Sequence, residues 1–168
     1  MTGASKLLLV SAEYLAGIID GEGTIRINEV RMKAQCRAAV THLVVFVTNT
    51  HLGLLKELEA SFGGGISLAG AKIPKSPKWK RCYKLSWNSG KAIQIVATVY
   101  PHLIVKRAQA EMAFEFWEQQ QGQWHQRLSP DELYVNRQYY LRMRELNQRG
   151  PGGNVVQPAT TLRVINRA

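Results

Sequence analysis

The sequence is short of cysteine, which excludes two common ways of stabilising a small protein. Only Cys36 and Cys82 occur in 168 residues, far apart and outside any CxxC pair. Neither a disulfide framework nor a zinc site is therefore indicated, and a reducing compartment is expected. We expect a cytoplasmic location, or an organellar one if the source is a eukaryote.

Long apolar runs are also missing. The apolar segment Lys6–Val10 is much shorter than a membrane span, and Glu13 interrupts its continuation. No cleavage-type ending follows it, as a signal peptide would require. The sequence therefore predicts neither a membrane partner nor a secretory leader.

Negative charge is scarce, because 12 acidic residues face 22 lysines and arginines, giving a formal charge of +10 and a pI near 9.9. This balance is typical of proteins that bind nucleic acid or an anionic membrane surface. With 45% hydrophobic residues, the chain is long enough to bury one core. We expect a single domain over residues 1–150, followed by an extended C-terminal arm over residues 151–168.

Helical and alternating patterns succeed one another along the chain. They predict, in order, a helix with Ser11 as its N-cap that runs to Asp20 and is ended by Gly21 and Gly23, two strands between Thr24 and Thr48, and a helix at Leu52–Phe62 that is followed by a glycine stop. A strand pair over residues 65–74 and 79–88 comes next, followed by helices at Gly90–Tyr100, at Val105–Gln120 and from the N-cap Ser129 to about Gly150. Paired strands between helices favour an α+β fold with an antiparallel sheet over a parallel doubly wound one.

The stretch YLAGIIDGEG places Asp20 and Glu22 at the end of the first helix, where the macrodipole disfavours negative charge. Small residues lie on neighbouring tracks of this helix: Ala12, Ala16, Gly17 and Gly21. Such spacing lets the same helix of a second copy approach closely, which would bring two Glu22 carboxylates together. A divalent cation such as Mg²⁺ would relieve their repulsion. In the alternative interpretation, Asp20 binds a nearby backbone turn and Glu22 is simply solvated.

The same stretch resembles the signature of the LAGLIDADG homing endonucleases. The matching residues are Leu15, Ala16, Gly17, Ile19, Asp20 and Gly23, with Glu22 where the second acid of the signature falls. The order of elements from about residue 11 to 121 also resembles that family's αββαββα core. The resemblance implies a homing-endonuclease-like α+β fold with an antiparallel sheet saddle and additional C-terminal helices.

The resemblance further implies a metal site. In the family, the second acid of the motif, here Glu22, binds divalent metal with the carbonyl of the preceding residue, here Gly21. The expected ion is Mg²⁺, and Mn²⁺ or Ca²⁺ can also occupy such a site. Asp20 would be mainly structural and would lie at a dimer interface with Ala12, Ala16 and Gly17.

Three other residues match family positions around the reacting phosphate. Asn49, at the end of the second strand, would orient the attacking water, although it also suits the N-cap of the second helix. Lys106, which follows a PxL element, would lie near the scissile phosphate, unless it is merely a solvated lysine at a helix start. A basic residue is expected at the start of the second helix, where the spacing allows either His51 or Gly53.

A single motif implies a homodimer that hydrolyses one phosphodiester in each strand of a near-palindromic double-stranded DNA. By alternation from Glu22, Arg26 and Asn28 should face the major groove. The lysines expected to contact DNA are Lys72, Lys75, Lys78, Lys80 and Lys84. Two alternatives remain open, namely a maturase that binds intron RNA and assists splicing, and a regulator that binds DNA without cleaving it.

Overall fold

The computed structural model describes residues 10–31, 39–70, 80–121 and 128–148. Its elements are α1 (Ala12–Glu22), β1 (Gly23–Arg31), β2 (Ala39–Asn49), α2 (Leu52–Phe62), β3 (Gly65–Ala69), β4 (Cys82–Asn88), α3 (Ser89–Val99), a 3-10 turn (Tyr100–His102), α4 (Arg107–Gln120) and α5 (Pro130–Leu146). The predicted α+β class and the αββαββα order are confirmed. None of the helices in these ranges has the length and apolar character that crossing a membrane requires.

The four strands form one sheet in the order β1-β2-β4-β3. Both pairs with β4 are antiparallel, and Val47 lies opposite Leu85 while Thr48 lies opposite Lys84. Because side chains alternate between the faces of a strand, this register separates a buried apolar face from a more polar one. Val47 and Leu85 are fully buried, whereas Thr48 and Lys84 are half-buried.

The described residues divide into two compact units, one drawn from residues 10–25, 44–70 and 80–107 and the other from residues 26–31, 39–43, 108–121 and 128–148. The prediction of one domain over residues 1–150 stays a prediction. The proposed arm at 151–168 lies outside the described residues.

In the first unit, α1, α2 and α3 bury apolar side chains with the sheet. The largest of these include Leu15, Ile19, Ile25, Leu55, Leu58, Leu85 and Trp87. The Trp87 indole N–H donates to the carbonyls of Phe62 and Gly63 at 3.1 and 2.9 Å, which satisfies its only polar atom at the end of α2. Gly63 and the following Gly64 both have positive φ, which confirms the predicted glycine stop of this helix.

In the second unit, α4 and α5 supply the core together with parts of β1 and β2. Phe116 and Tyr139 meet edge to face, with ring centroids 5.8 Å apart. The predicted start of α5 is confirmed as a capping box, since the Ser129 hydroxyl accepts from the Glu132 N–H and the Glu132 carboxylate accepts from the Ser129 N–H. Arg137 also contacts both carboxylate oxygens of Glu29, at 2.8 and 2.9 Å, so α5 is tied to β1.

Candidate active site

Helix α1 does not end where the sequence pattern suggested. It begins after the predicted N-cap, Ser11, but continues through Gly21 to Glu22. Its C-cap is Gly23, whose N–H donates to the carbonyls of Ile18 and Ile19. A Cβ at position 23 would lie 2.6 Å from the Cα of Ile19, so only glycine lets the chain turn into β1 this closely. Glu22 is therefore the last helical residue rather than the first one beyond the helix, and its side chain is exposed.

The Asp20 carboxylate binds a backbone turn 84 to 86 residues away in sequence. Oδ2 accepts from the N–H groups of Ile104 and Val105 at 2.7 and 3.2 Å, and Oδ1 accepts from the N–H of Lys106 at 2.9 Å. These charge-assisted bonds hold the segment that leads into α4. They support the structural role expected of Asp20.

The ammonium of Lys106 lies at the same end of α1. Its Nζ donates to the backbone carbonyl of Asp20 at 2.5 Å, and the side chain is half-buried. A cation at the carbonyl end of a helix interacts favourably with the macrodipole. Lys106 thus offsets part of the cost of placing two carboxylates there.

Glu22, Asn49 and His51 form a connected chain of hydrogen bonds. The amide Nδ2 of Asn49 donates to Oε2 of Glu22, and Oδ1 of Asn49 accepts from the N–H of His51 at 2.7 Å. The N-cap of α2 is His51, whose Nδ1 accepts from the N–H of Leu54 at 2.9 Å. The alternative in which Asn49 is the N-cap is wrong, because α2 begins three residues later, at Leu52, and His51 already occupies the capping position.

The same geometry favours His51 over Gly53 as the polar residue at the start of α2. A Cβ at Gly53 would lie 3.0 Å from Cε1 of His51, so the imidazole lies over this glycine. Since Nδ1 of His51 is the capping acceptor, the neutral ring carries its proton on Nε2. His51 therefore offers a side-chain hydrogen-bond donor at the start of α2, whereas Gly53 has no side chain to contribute.

The oxygen atoms at this end of α1 can supply part of the coordination shell of a hard divalent cation. Glu22 offers an exposed carboxylate. The Gly21 carbonyl lies in the last turn of α1, where the helix has no further N–H group to donate to it. Within the described residues, no group of three or more His, Cys, Asp or Glu side chains could hold a metal. A few carboxylate and carbonyl oxygens, completed by water and phosphate, are nevertheless the usual setting for Mg²⁺. The residues present fit such an ion.

On the polar face of the first unit's sheet, Lys84 is half-buried and its Nζ lies 5.7 Å from the ring centre of Phe46. Lys80 is exposed and precedes β4, so the observed strand begins later than the predicted one at residues 79–88 and does not contain Lys80. Lys72, Lys75 and Lys78 lie outside the described residues. Phe46 gives no separate signal in the sequence because VTHLVVFVT is a nearly continuous apolar run, although period-two alternation from Val47 places Phe46 on the face opposite the buried side chains.

In the second unit, Arg26 and Asn28 flank the buried Ile27 on β1, so their side chains lie away from the core, as the alternation predicts. His42 is a polar residue on β2 that no sequence pattern marks as functional. It is half-buried, and burial lowers its pKa below 6.5, with a further lowering by the positive charge of Arg26. His42 is therefore neutral at pH 7 and offers one donor and one acceptor.

The lowered pKa of His42 predicts a pH dependence of stability. Below pH 6.5 the unfolded chain takes up a proton at His42 before the folded chain does, so the free energy of unfolding falls as the pH falls through this range. In His42→Gln this part of the fall should disappear. Urea titrations of both proteins at about pH 7.5 and 5.5 measure it, and equal losses in the two proteins would contradict the assignment.

The exposed surface of α1 differs in one residue from the predicted set of small residues, Ala12, Ala16, Gly17 and Gly21. Ala16 is fully buried in its own chain, so its side chain offers no surface to a second copy. Gly17 and Gly21 are exposed, and an added Cβ at either would meet nothing within 4 Å. Ala12 is half-buried, and Tyr14 on the same helix is 52% exposed. A face with glycines at its centre is therefore open on this helix.

No protein-family model matches the sequence, and no curated protein does. Solved structures do match. The chain is similar to the homing endonuclease I-CvuI in complex with DNA, with a TM-score of 0.66 and 17% identity over 83% of each chain. It is also similar to the archaeal intron-encoded homing endonuclease I-Vdi141I complexed with DNA, with a TM-score of 0.64 and 17% identity over 83% of this chain and 85% of that one.

A third similar structure is the LAGLIDADG homing endonuclease I-SmaMI bound to cleaved DNA. The TM-score is 0.62 and the identity 18%, over 83% of this chain but only 45% of that one. These likenesses concern the same α+β architecture that the motif and element order predicted. The chain has the fold of the LAGLIDADG homing endonucleases.

Proposed function

We propose that the protein is a site-specific DNA endonuclease that depends on a divalent metal and acts as a homodimer on a near-palindromic target. The observation that carries the proposal is that one end of α1 holds both an exposed carboxylate, Glu22, and a lysine ammonium, Lys106, which donates to the carbonyl of Asp20. Phosphodiester hydrolysis needs charge stabilisation of this kind on the phosphate. The DNA complexes among the structural neighbours and the formal charge of +10 support DNA as the substrate.

Each residue of the site has a proposed task. Glu22 and the Gly21 carbonyl would hold the cation, for which Mg²⁺ is the expected ion, and I-CvuI was crystallised with Mg or Ca. The bound metal would supply Lewis-acid stabilisation and an activated water. Lys106 would face the scissile phosphate and balance its developing negative charge. His51 would donate from Nε2 to a phosphate oxygen, and Asn49 has one amide hydrogen left with which to orient the attacking water.

The sheet residues would read and hold the DNA. Arg26 and Asn28 carry side chains whose hydrogen-bonding groups match guanine and adenine edges, respectively, in the major groove. The lysines would mainly contact phosphates, which fix the position of the protein without reading sequence. Those proposed are Lys72, Lys75, Lys78, Lys80 and Lys84.

The proposed activity can be tested directly on a plasmid library that carries near-palindromic inserts. Incubation with Mg²⁺, followed by capture and sequencing of the new ends, should yield double-strand breaks at one family of related sequences, and EDTA should prevent them. Binding to such sequences without breaks would instead support the non-cleaving regulator.

The homodimer predicts a specific effect of filling the open face of α1. Gly17→Leu should leave the free energy of unfolding of the single chain unchanged or higher, because the side chain enters open space and leucine favours a helix by about 0.8 kcal/mol over glycine. It should weaken dimerisation at least about tenfold, since two helix backbones can no longer approach closely. Sedimentation equilibrium measures the dissociation constant.

The matched control for this change is Ala60→Leu, which enlarges an exposed alanine on α2. It should leave dimerisation unchanged. A wild-type chain that is monomeric at every concentration, or a dimer that Gly17→Leu does not weaken, would contradict the proposed interface.

A further inference from the structure

The Glu22 carboxylate is hydrogen-bonded to a residue 27 positions later in the sequence. Nδ2 of Asn49 donates to Oε2 of Glu22, so one of the two carboxylate oxygens is already engaged. The other oxygen, Oε1, is left to face a cation. We propose that Asn49 is a positioning residue that holds the Glu22 carboxylate in its metal-binding orientation, and this inference rests on the proposed function.

The orientation of the Asn49 amide follows from its second contact. The partner on that side is the backbone N–H of His51, at 2.7 Å, which can only donate. The atom of Asn49 that faces it must therefore be the acceptor Oδ1, and this leaves the amino group pointing at Glu22. A flipped amide would lose both hydrogen bonds.

His51 is in turn fixed by its place at the start of α2. Its Nδ1 accepts from the N–H of Leu54, and its carbonyl accepts from the N–H of Leu55, whose side chain is fully buried. The chain of contacts thus runs from a packed helix through His51 and Asn49 to an exposed carboxylate. The position of Glu22 is tied to the core although its side chain is in solvent.

The identity of the acid explains why such a contact matters. The signature that this stretch resembles has aspartate as its second acid, whereas position 22 is glutamate, which has one more rotatable bond. Fixing a free glutamate side chain costs up to about 2 kcal/mol of conformational entropy. An existing hydrogen bond to Asn49 removes part of that cost before the cation arrives. Aspartate would be shorter by about 1.5 Å and would not reach Asn49 in the same way.

The test is a titration of the DNA-free protein with Mn²⁺, in which the electron paramagnetic resonance signal measures the concentration of unbound Mn²⁺. Asn49→Ala should weaken binding by about tenfold, the low end of the range for residues that orient metal ligands. The control is Asn88→Ala, because Asn88 also ends a strand just before a helix but makes no side-chain capping bond. Asn88→Ala should leave Mn²⁺ binding unchanged.

A double-mutant cycle separates positioning from an independent action of Asn49. In the Glu22→Asp background, which lacks the reach to Asn49, the change Asn49→Ala should alter Mn²⁺ affinity less than about twofold. Equal losses in the wild-type and Glu22→Asp backgrounds would show that Asn49 acts without Glu22 and would overturn the inference. Thermal unfolding of each variant shows whether a loss of affinity reflects a loss of fold.

The same titration distinguishes failure of this inference from failure of the proposed function. If Glu22→Gln binds Mn²⁺ as the wild type does, the metal is not held by Glu22 and the proposed site is wrong. If Glu22→Gln loses binding and Asn49→Ala does not, the site stands and only the positioning role is refuted.

Discussion

Glu22→Gln should abolish DNA cleavage in Mg²⁺, lowering the rate by at least about a thousandfold. Replacing the carboxylate with a neutral amide removes the charged metal ligand, and loss of a single charge-stabilising group already costs about 10² to 10³ in rate. The fold should survive, because Glu22 is exposed and the glutamine oxygen can still accept from Asn49. Single-turnover cleavage of the cognate DNA measures the rate.

DNA binding separates the chemical step from recognition in this variant. In EDTA, Glu22→Gln should bind the target as tightly as the wild type or slightly more tightly, since one negative charge near the phosphates is gone. The matched control is Glu57→Gln, an exposed glutamate on α2 that should keep wild-type cleavage. Wild-type rates for a folded Glu22→Gln protein would refute the proposed mechanism.

Asp20→Ala should destabilise the protein by about 3 kcal/mol, which for a chain of this size lowers the melting temperature by roughly 6–12 °C. The carboxylate accepts three backbone N–H groups, and its loss leaves the segment Ile104–Lys106 without its main restraint. Cleavage should fall as well, even well below the melting temperature, because the backbone of Lys106 is no longer held against α1. Calorimetry and cleavage assays at about 25 °C measure the two effects.

The only other aspartate in the sequence, Asp131, provides the control. It is exposed in the first turn of α5, where its interaction with the helix dipole is worth less than about 1 kcal/mol. Asp131→Ala should therefore have a small effect on stability and none on cleavage. An Asp20→Ala protein as stable and active as Asp131→Ala would show that the contacts to residues 104–106 are dispensable.

Features that depend on neighbours in sequence were predicted well. Ser11 and Ser129 cap α1 and α5 as expected, because a capping hydrogen bond spans only three residues. The boundary of α1 was misjudged, since Gly21 was expected to end the helix. A glycine disfavours a helix by only about 1 kcal/mol, so Gly21 does not have to end it. The helix ends where Gly23 approaches Ile19 closely, and this contact is visible only in the three-dimensional structure.

By itself the sequence determined the α+β class, the order of elements, the basic charge and the presence of two acids at the end of the first helix. Periodicity, caps and composition act over a few residues, so they can be read along the chain. Only the tertiary structure decided that Asp20 binds residues 104–106, that Asn49 contacts Glu22, and that Ala16 faces its own core. These contacts join positions 27 to 86 residues apart or depend on which face of a helix is covered, and packing alone fixes both.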